Sequence, residues 1–174
     1  VDATKEAMGF PTLPGLPANA PTGLINPMLD YDFGPDFDYV DGTGAPSVFP
    51  PRVKQVIRML APRVDADGNE LGGVPVVLRD APLGTYLGWN VTAEGFHKGQ
   101  LCNYAGGFVP FAKTKAERMA SGDPRPSLEE RYGTHENYVA RVRAAAERLV
   151  RGRYLVQDDA DRLIKQADAS KVLK

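Results

Sequence analysis

The hydrophobic positions follow three different regimes along the chain. In the last third they recur at helical spacing. Tyr138, Val139, Val142, Ala145, Ala146, Leu149 and Val150 make one stripe, and Arg141, Arg143, Glu147, Arg148 and Arg151 fill the opposite face. Apolar residues three to four apart with charge between them are the pattern of an amphipathic helix, here predicted over about 135–151, with Thr134 as its cap and Gly152 as its break. Ala160, Leu163, Ile164 and Ala167 predict a last helix over about 157–168. Two shorter helices are announced by their caps. Thr114-Lys115-Ala116-Glu117 and Ser127-Leu128-Glu129-Glu130 are capping boxes, in which the hydroxyl accepts an orphan amide and the glutamate reaches back to the cap residue. Ser121-Gly122-Asp123-Pro124 stops the first, and Gly133 ends the second.

The middle of the chain changes to short apolar runs. Val53, Val56, Ile57 and Leu60 precede Asp65-Ala66-Asp67-Gly68-Asn69-Glu70, and Val74, Val76, Val77 and Leu78 follow. Asp-Gly between apolar runs is a hairpin signal, and Pro75 makes the returning strand an edge. Residues 81–111 mix glycines with aromatics and predict short strands and turns.

The first 51 residues keep no period. They hold nine of the fifteen prolines and six glycines. Phe10-Pro11, Leu13-Pro14, Leu16-Pro17 and Asn26-Pro27 force extended backbone. Yet Phe10, Leu13, Leu16, Leu24, Ile25, Met28, Leu29, Phe33, Phe37 and Tyr39 are too many large apolar groups for a solvated linker. The expectation is an extended arm lying on a surface that this chain does not contain, since so long an irregular segment is unusual in a self-contained domain.

Composition bounds the function classes. The chain has 174 residues, 43% apolar and 25% charged, which suits one ordinary soluble domain. A net charge of −1 gives no global field for nucleic acid or anionic membrane, and no apolar run approaches the roughly 18 residues of a membrane span. Charge is nevertheless uneven: residues 1–50 carry −6, residues 51–110 carry +1 and residues 111–174 carry +4. Ends that attract each other, or a common partner, account for that. The chain opens on Val1-Asp2-Ala3-Thr4-Lys5 without an apolar h-region, so it is not an intact signal peptide, and an upstream part is expected. Cys102, the single cysteine, excludes an intrachain disulfide.

Few of the residue types that carry chemistry stand in a functional pattern. Ser47, Ser121, Ser127 and Ser170 are the serines, and none stands in the G-x-S-x-G turn that exposes a hydrolase nucleophile. His97 reads as a loop residue and His135 as a surface residue opening a helix; neither has metal-ligand spacing with Cys102, which reads as a buried structural thiol. Asp30, Asp32, Asp36, Asp38 and Asp41 fall within twelve residues, but Phe33, Phe37 and Tyr39 interleave them, which suits an anchoring arm better than an ion site. Asp65-Ala66-Asp67-Gly68-Asn69 begins like a calcium loop without the distal bidentate glutamate. No glycine run has phosphate-cradling spacing. The basic face of the 135–151 helix reads as solvated rather than as a nucleic-acid patch.

Three strings carry a resemblance. They are Pro62-Arg63-Val64-Asp65-Ala66-Asp67-Gly68-Asn69-Glu70, Pro82-Leu83-Gly84-Thr85-Tyr86-Leu87-Gly88-Trp89-Asn90, and the long block from Val109-Pro110-Phe111-Ala112-Lys113-Thr114 through Ser121-Gly122-Asp123-Pro124-Arg125 to Ser127-Leu128-Glu129-Glu130-Arg131-Tyr132. Phe10-Pro11-x-x-Pro14-Gly15 and Asp32-Phe33-Gly34-Pro35 add to them. In this order they resemble the C-terminal region of a bacterial family labelled alpha/beta hydrolase domain-containing protein. Residues 94–103, with His97 and Cys102, depart from the family's usual sequence, and no role carries over there.

The expected fold class is an α+β fragment with an irregular proline-rich arm, short hairpin strands and C-terminal helices, which the resemblance makes part of a larger α/β-hydrolase fold. It divides into an acidic arm at 1–51, strands and turns at 52–111 and a helical segment at 112–174, together one incomplete domain. The resemblance implies a nucleophilic serine and a catalytic histidine upstream of Val1 and no catalytic residue within the chain; from the residue spacing no cofactor or metal is expected. The expected partners are the upstream catalytic segment or chain and a small-molecule ester, with no nucleic acid and no membrane. Compartment stays open, the periplasm and the exterior included. Tyr86, Trp89 and Asn90 are the candidate substrate-binding residues, because an aromatic and amide string on a Gly-flanked turn combines apolar contact with placed polar groups; a core Trp89 and a turn-capping Asn90 are the competing reading. A non-catalytic interaction module is the alternative function.

Overall fold

The computed structural model describes residues 1–2, 5–17, 28–58, 60–92, 94–95, 98–102 and 105–174, without the side chains of 101 and 102. In chain order the elements are α1 (Lys5–Met8), β1 (Met28–Asp32), β2 (Arg52–Ile57), α2 (Val77–Asp80), β3 (Gly84–Leu87), β4 (Asn90–Val91), β5 (Leu101–Cys102), β6 (Gly107–Pro110), α3 (Lys115–Ser121), α4 (Leu128–Tyr132), α5 (His135–Arg151) and α6 (Gln157–Ala169). The architecture is mixed α+β. Among the described residues the strands form three separate two-stranded antiparallel ribbons, β1 with β2, β3 with β6, and β4 with β5. Among the described residues no helix is long and apolar enough to cross a membrane.

The helical third forms as its local chemistry dictates. Thr114 and Ser127 each close a complete capping box with Glu117 and Glu130. The Thr134 hydroxyl accepts the Asn137 amide at the start of α5. The stripe of α5 packs on α6, and with Val77, Ala81, Phe111, Leu128 and Tyr132 it builds the larger core. Close approach of the two helices rests on small side chains: Ala145, Ala146 and Ala160 are all but inaccessible.

A second, smaller core joins Met8, Phe10 and Leu13 to Ala61, Val64, Leu87 and Trp89. This corrects the expectation for the start of the arm: residues 8–13 cover a surface of this same chain. Leu16 packs at the edge of that core. Leu24 and Ile25 lie outside the described residues. Further along, Phe33, Phe37 and Tyr39 pack on one another, with ring centroids 4.8–6.4 Å apart.

The hairpin expected across residues 52–80 is also corrected. β2 pairs with β1 upstream, Met28 opposite Ile57 and Asp32 opposite Arg52. Val77 and Leu78 belong to a short helix rather than a returning strand. The Asp-Gly turn itself forms, with Gly68 in the left-handed region at φ +82°. A bridge between Val64 and Glu70 closes its neck. Beyond the neck, Gly72 and Gly73 supply no side chains and Pro75 no amide donor, so a strand has little to build on.

Candidate functional site

β3 and β6 form the scaffold of the site. Gly84 sits so close to the opposite strand that a Cβ there would lie 2.4 Å from the Val109 carbonyl oxygen; the ribbon tolerates no side chain at that point. The Asp65–Asn69 turn docks on β3 through side chains. The Asp65 carboxylate accepts the Asp67 and Asn69 amides, each at 2.9 Å, which shapes the turn. Asn69 then donates to the Gly84 carbonyl at 3.1 Å and accepts the Tyr86 amide at 2.8 Å. Thr85 donates to the Asp67 carbonyl. Asp67 also pairs with Arg131 of α4.

Behind this turn lies Arg125, only 1% exposed. All five of its donors are used. Nε and Nη2 grip the Asp123 carboxylate at 2.9 and 2.6 Å. Nη1 reaches Thr85 Oγ1 at 2.8 Å and the Val109 carbonyl at 2.9 Å, and Nη2 also reaches the Pro110 carbonyl at 3.2 Å. The guanidinium carbons of Arg125 and Arg131 lie 5.0 and 4.1 Å from the centre of the Phe111 ring. Burial pushes the Asp123 carboxyl up, but the hydrogen bonds and charge of Arg125 outweigh it and hold it below the usual range. Asp67 goes the other way: burial raises it despite the pull of Arg131. The arrangement is a buried, charge-balanced clamp joining the turn, the ribbon and the start of α4.

Over the front of the same ribbon opens a cleft of about 350 Å³, lined by Asn69, Glu70, Gly72, Val74, Val76, Leu78, Arg79, Tyr86, Leu87 and Gly88. Its walls are mainly aliphatic, with Asn69, Glu70 and Arg79 as polar groups, the composition of a small-molecule pocket. Of the three candidate residues only Tyr86 lines it. The Tyr86 ring packs 5.1 Å from Phe108, and its hydroxyl accepts the Leu83 amide at 3.4 Å; burial raises its pKa. Trp89 is buried in the smaller core, 5.8 Å from Phe10. Asn90 donates to the Gly106 carbonyl at 3.3 Å and accepts the Val91 amide at 2.8 Å, so its amide caps local backbone. Neighbours on an extended segment point to alternate faces, and a string of five cannot line one cavity.

The remaining candidates are placed elsewhere. His135 is buried, not on the surface: its Nδ1 lies 2.8 Å from the Val172 carbonyl oxygen and its Nε2 3.0 Å from that of Asp168. His97 lies outside the described residues, as does the side chain of Cys102. Among the acids of the arm, Asp32 accepts the Gly34 amide and the Tyr39 hydroxyl, and Asp41 accepts from Thr43. The Arg125 clamp was missed in sequence, where Asp123 read only as part of a helix stop. Its one signal was Asp123-Pro124-Arg125-Pro126, an ion pair between prolines that keep the segment out of any helix.

A family model described as an alpha/beta hydrolase domain matches residues 35–165. The chain belongs to that alpha/beta hydrolase domain family. No curated protein and no solved structure matches it. The matched span contains the ribbon, the clamp, the cleft and most of the helical core. Within the family frame the serines have local duties. Ser127 is the buried cap of α4 and Ser121 donates to the Arg118 carbonyl at 3.1 Å. Ser170 accepts the Val172 amide, and the Ser47 amide donates to the Phe33 carbonyl.

Proposed function

We propose that this chain is the C-terminal piece or partner chain of a serine-type carboxylic-ester hydrolase, completing the fold and supplying one wall of the substrate pocket through Tyr86 and the aliphatic side chains beside it. The observation that carries the reading is the β1–β2 ribbon. Met28, Val53, Val56 and Ile57 stand well exposed on it, together with Leu60 just beyond. Large apolar groups in contiguous exposure mark a surface meant for a protein neighbour, and a two-stranded ribbon needs further packing to be stable. In a chain of a hydrolase family without a nucleophile elbow, the catalytic segment is the neighbour that fits. In this reading the division at 1–51, 52–111 and 112–174 describes the parts of one incomplete domain.

Mixing the chain with the upstream segment should restore hydrolysis of a short acyl ester. Hydrolysis by the isolated chain, abolished by a serine-directed inhibitor, would sink the proposal. The second reading, a non-catalytic interaction module, is favoured by the self-contained helical core. It predicts a monomer with a cooperative calorimetric transition and no gain of activity on mixing.

A further inference from the structure

A second cleft, of about 430 Å³, is lined by Asp80, Pro82, Arg131, Tyr132, Asn137 and Arg141. It shares no lining residue with the cleft of Tyr86. Its charges do not cancel. Asp80 is engaged by Arg148 and by Arg79, and Arg131 is balanced by Asp67. Among the described residues Arg141 meets only a carbonyl: its Nε donates to Asp80 O at 3.1 Å. Among the described residues its two Nη groups make no hydrogen bond, and no carboxylate pairs with it. Arg131 spends Nε on the Pro126 carbonyl and Nη2 on Asp67, which leaves Nη1. Its guanidinium carbon lies 4.1 Å from the centre of the Phe111 ring. Asn137 donates to the Tyr132 carbonyl at 2.9 Å, and the Tyr132 hydroxyl to the Pro82 carbonyl at 2.7 Å. Both guanidiniums lie close enough to that hydroxyl to act on its ionisation, against the burial that raises it.

We propose that this cleft binds a small oxyanion, a carboxylate or a phosphate, between the unused guanidinium donors of Arg141 and Arg131. A planar guanidinium matches the paired oxygens of either group. Two like charges facing one polar cleft also favour an anion between them. The inference stands apart from the hydrolase reading, since it uses neither the Tyr86 cleft nor a second chain.

The test is titration of the whole chain with inorganic phosphate and, separately, acetate, followed by the side-chain amide signals of Asn137 and the Nε signals of the arginines. Sodium chloride at matched ionic strength is the control. Saturation with a dissociation constant on the order of 1 mM is expected. It should weaken about tenfold in Arg141→Gln and stay unchanged in Arg143→Gln, a nearby exposed arginine outside the cleft. Arg141→Lys, which keeps charge without the fork, should weaken it less and serves if the glutamine variant does not fold. A response to both anions no different from chloride, or equal affinity in the Arg141 variants, overturns the proposal.

Discussion

Replacing Arg125 with Met removes five donors at once and strips the Asp123 carboxylate of its partner. Breaking a buried ion pair from one side costs about 3–5 kcal/mol, and urea unfolding near neutral pH should show a loss in that range. Arg125→Lys keeps the charge without the planar fork and should recover less than half; wild-type stability in that variant would refute the importance of the fork. The two buried acids carry opposite pH signs. Asp123 is depressed, so its contribution is complete above the ordinary Asp value of about 3.9 and is lost as pH falls through the lower folded value. Asp67 is raised, so its contribution is present at low pH and lost as pH rises through the folded value. The stability gap between wild type and Asp67→Asn should therefore narrow as pH rises above the ordinary Asp value of about 3.9 and through the raised folded value; a widening gap in urea midpoints would contradict this. At this scale the sequence was readable where a residue's duty is local. Ser127 could be named a cap from its three neighbours. Arg125 could not be named a clamp, because Thr85, Val109 and Pro110 reach it from 15 to 40 residues away.

Helices with strong caps were legible for the same reason. The boxes at Thr114 and Ser127 use partners three residues on, and the stripe of α5 repeats within one element. They are not equal in energy. Ser127 is fully buried, and its hydroxyl both accepts the Glu130 amide and donates to the Glu130 carboxylate, whereas Thr114 is exposed. Ser127→Ala should cost about 1–2 kcal/mol and Thr114→Ala about 0.5–1 kcal/mol; thermal or urea denaturation of the pair settles the order. Strand pairing was less legible. The turn at Gly68 was correctly placed, yet β2 finds its partner twenty residues before it begins, across a long stretch without periodicity. A turn signal specifies where the chain reverses, not which strand it will meet.

The described residues hold two cores of unequal size, joined where Phe111 and the Arg125 clamp tie the β3–β6 ribbon to the helices. Unequal packing implies unequal protection. Amides in α5 should exchange hydrogen at rates set by global unfolding, while those of β1 and β2 should exchange through local opening. Exchange of both regions at one common rate would contradict this. The family was legible in the sequence, because its strings span several elements. Of Tyr86, Trp89 and Asn90, only Tyr86 lines the cleft, because side chains alternate inward and outward along that segment.

The β1–β2 ribbon has one more consequence. Among the described residues neither strand has a second sheet partner, so both long edges present unsatisfied amides and carbonyls flanked by Val53, Val56 and Ile57. Such an edge is a template for another identical edge. Handled alone, the protein should therefore scatter more light as its concentration rises, in a manner set by dose more than by temperature. Placing lysine at both Val53 and Val56 should suppress that growth while leaving the melting of the helical core unchanged. The colloidal behaviour of a sample would then report on whether those two strands have found company.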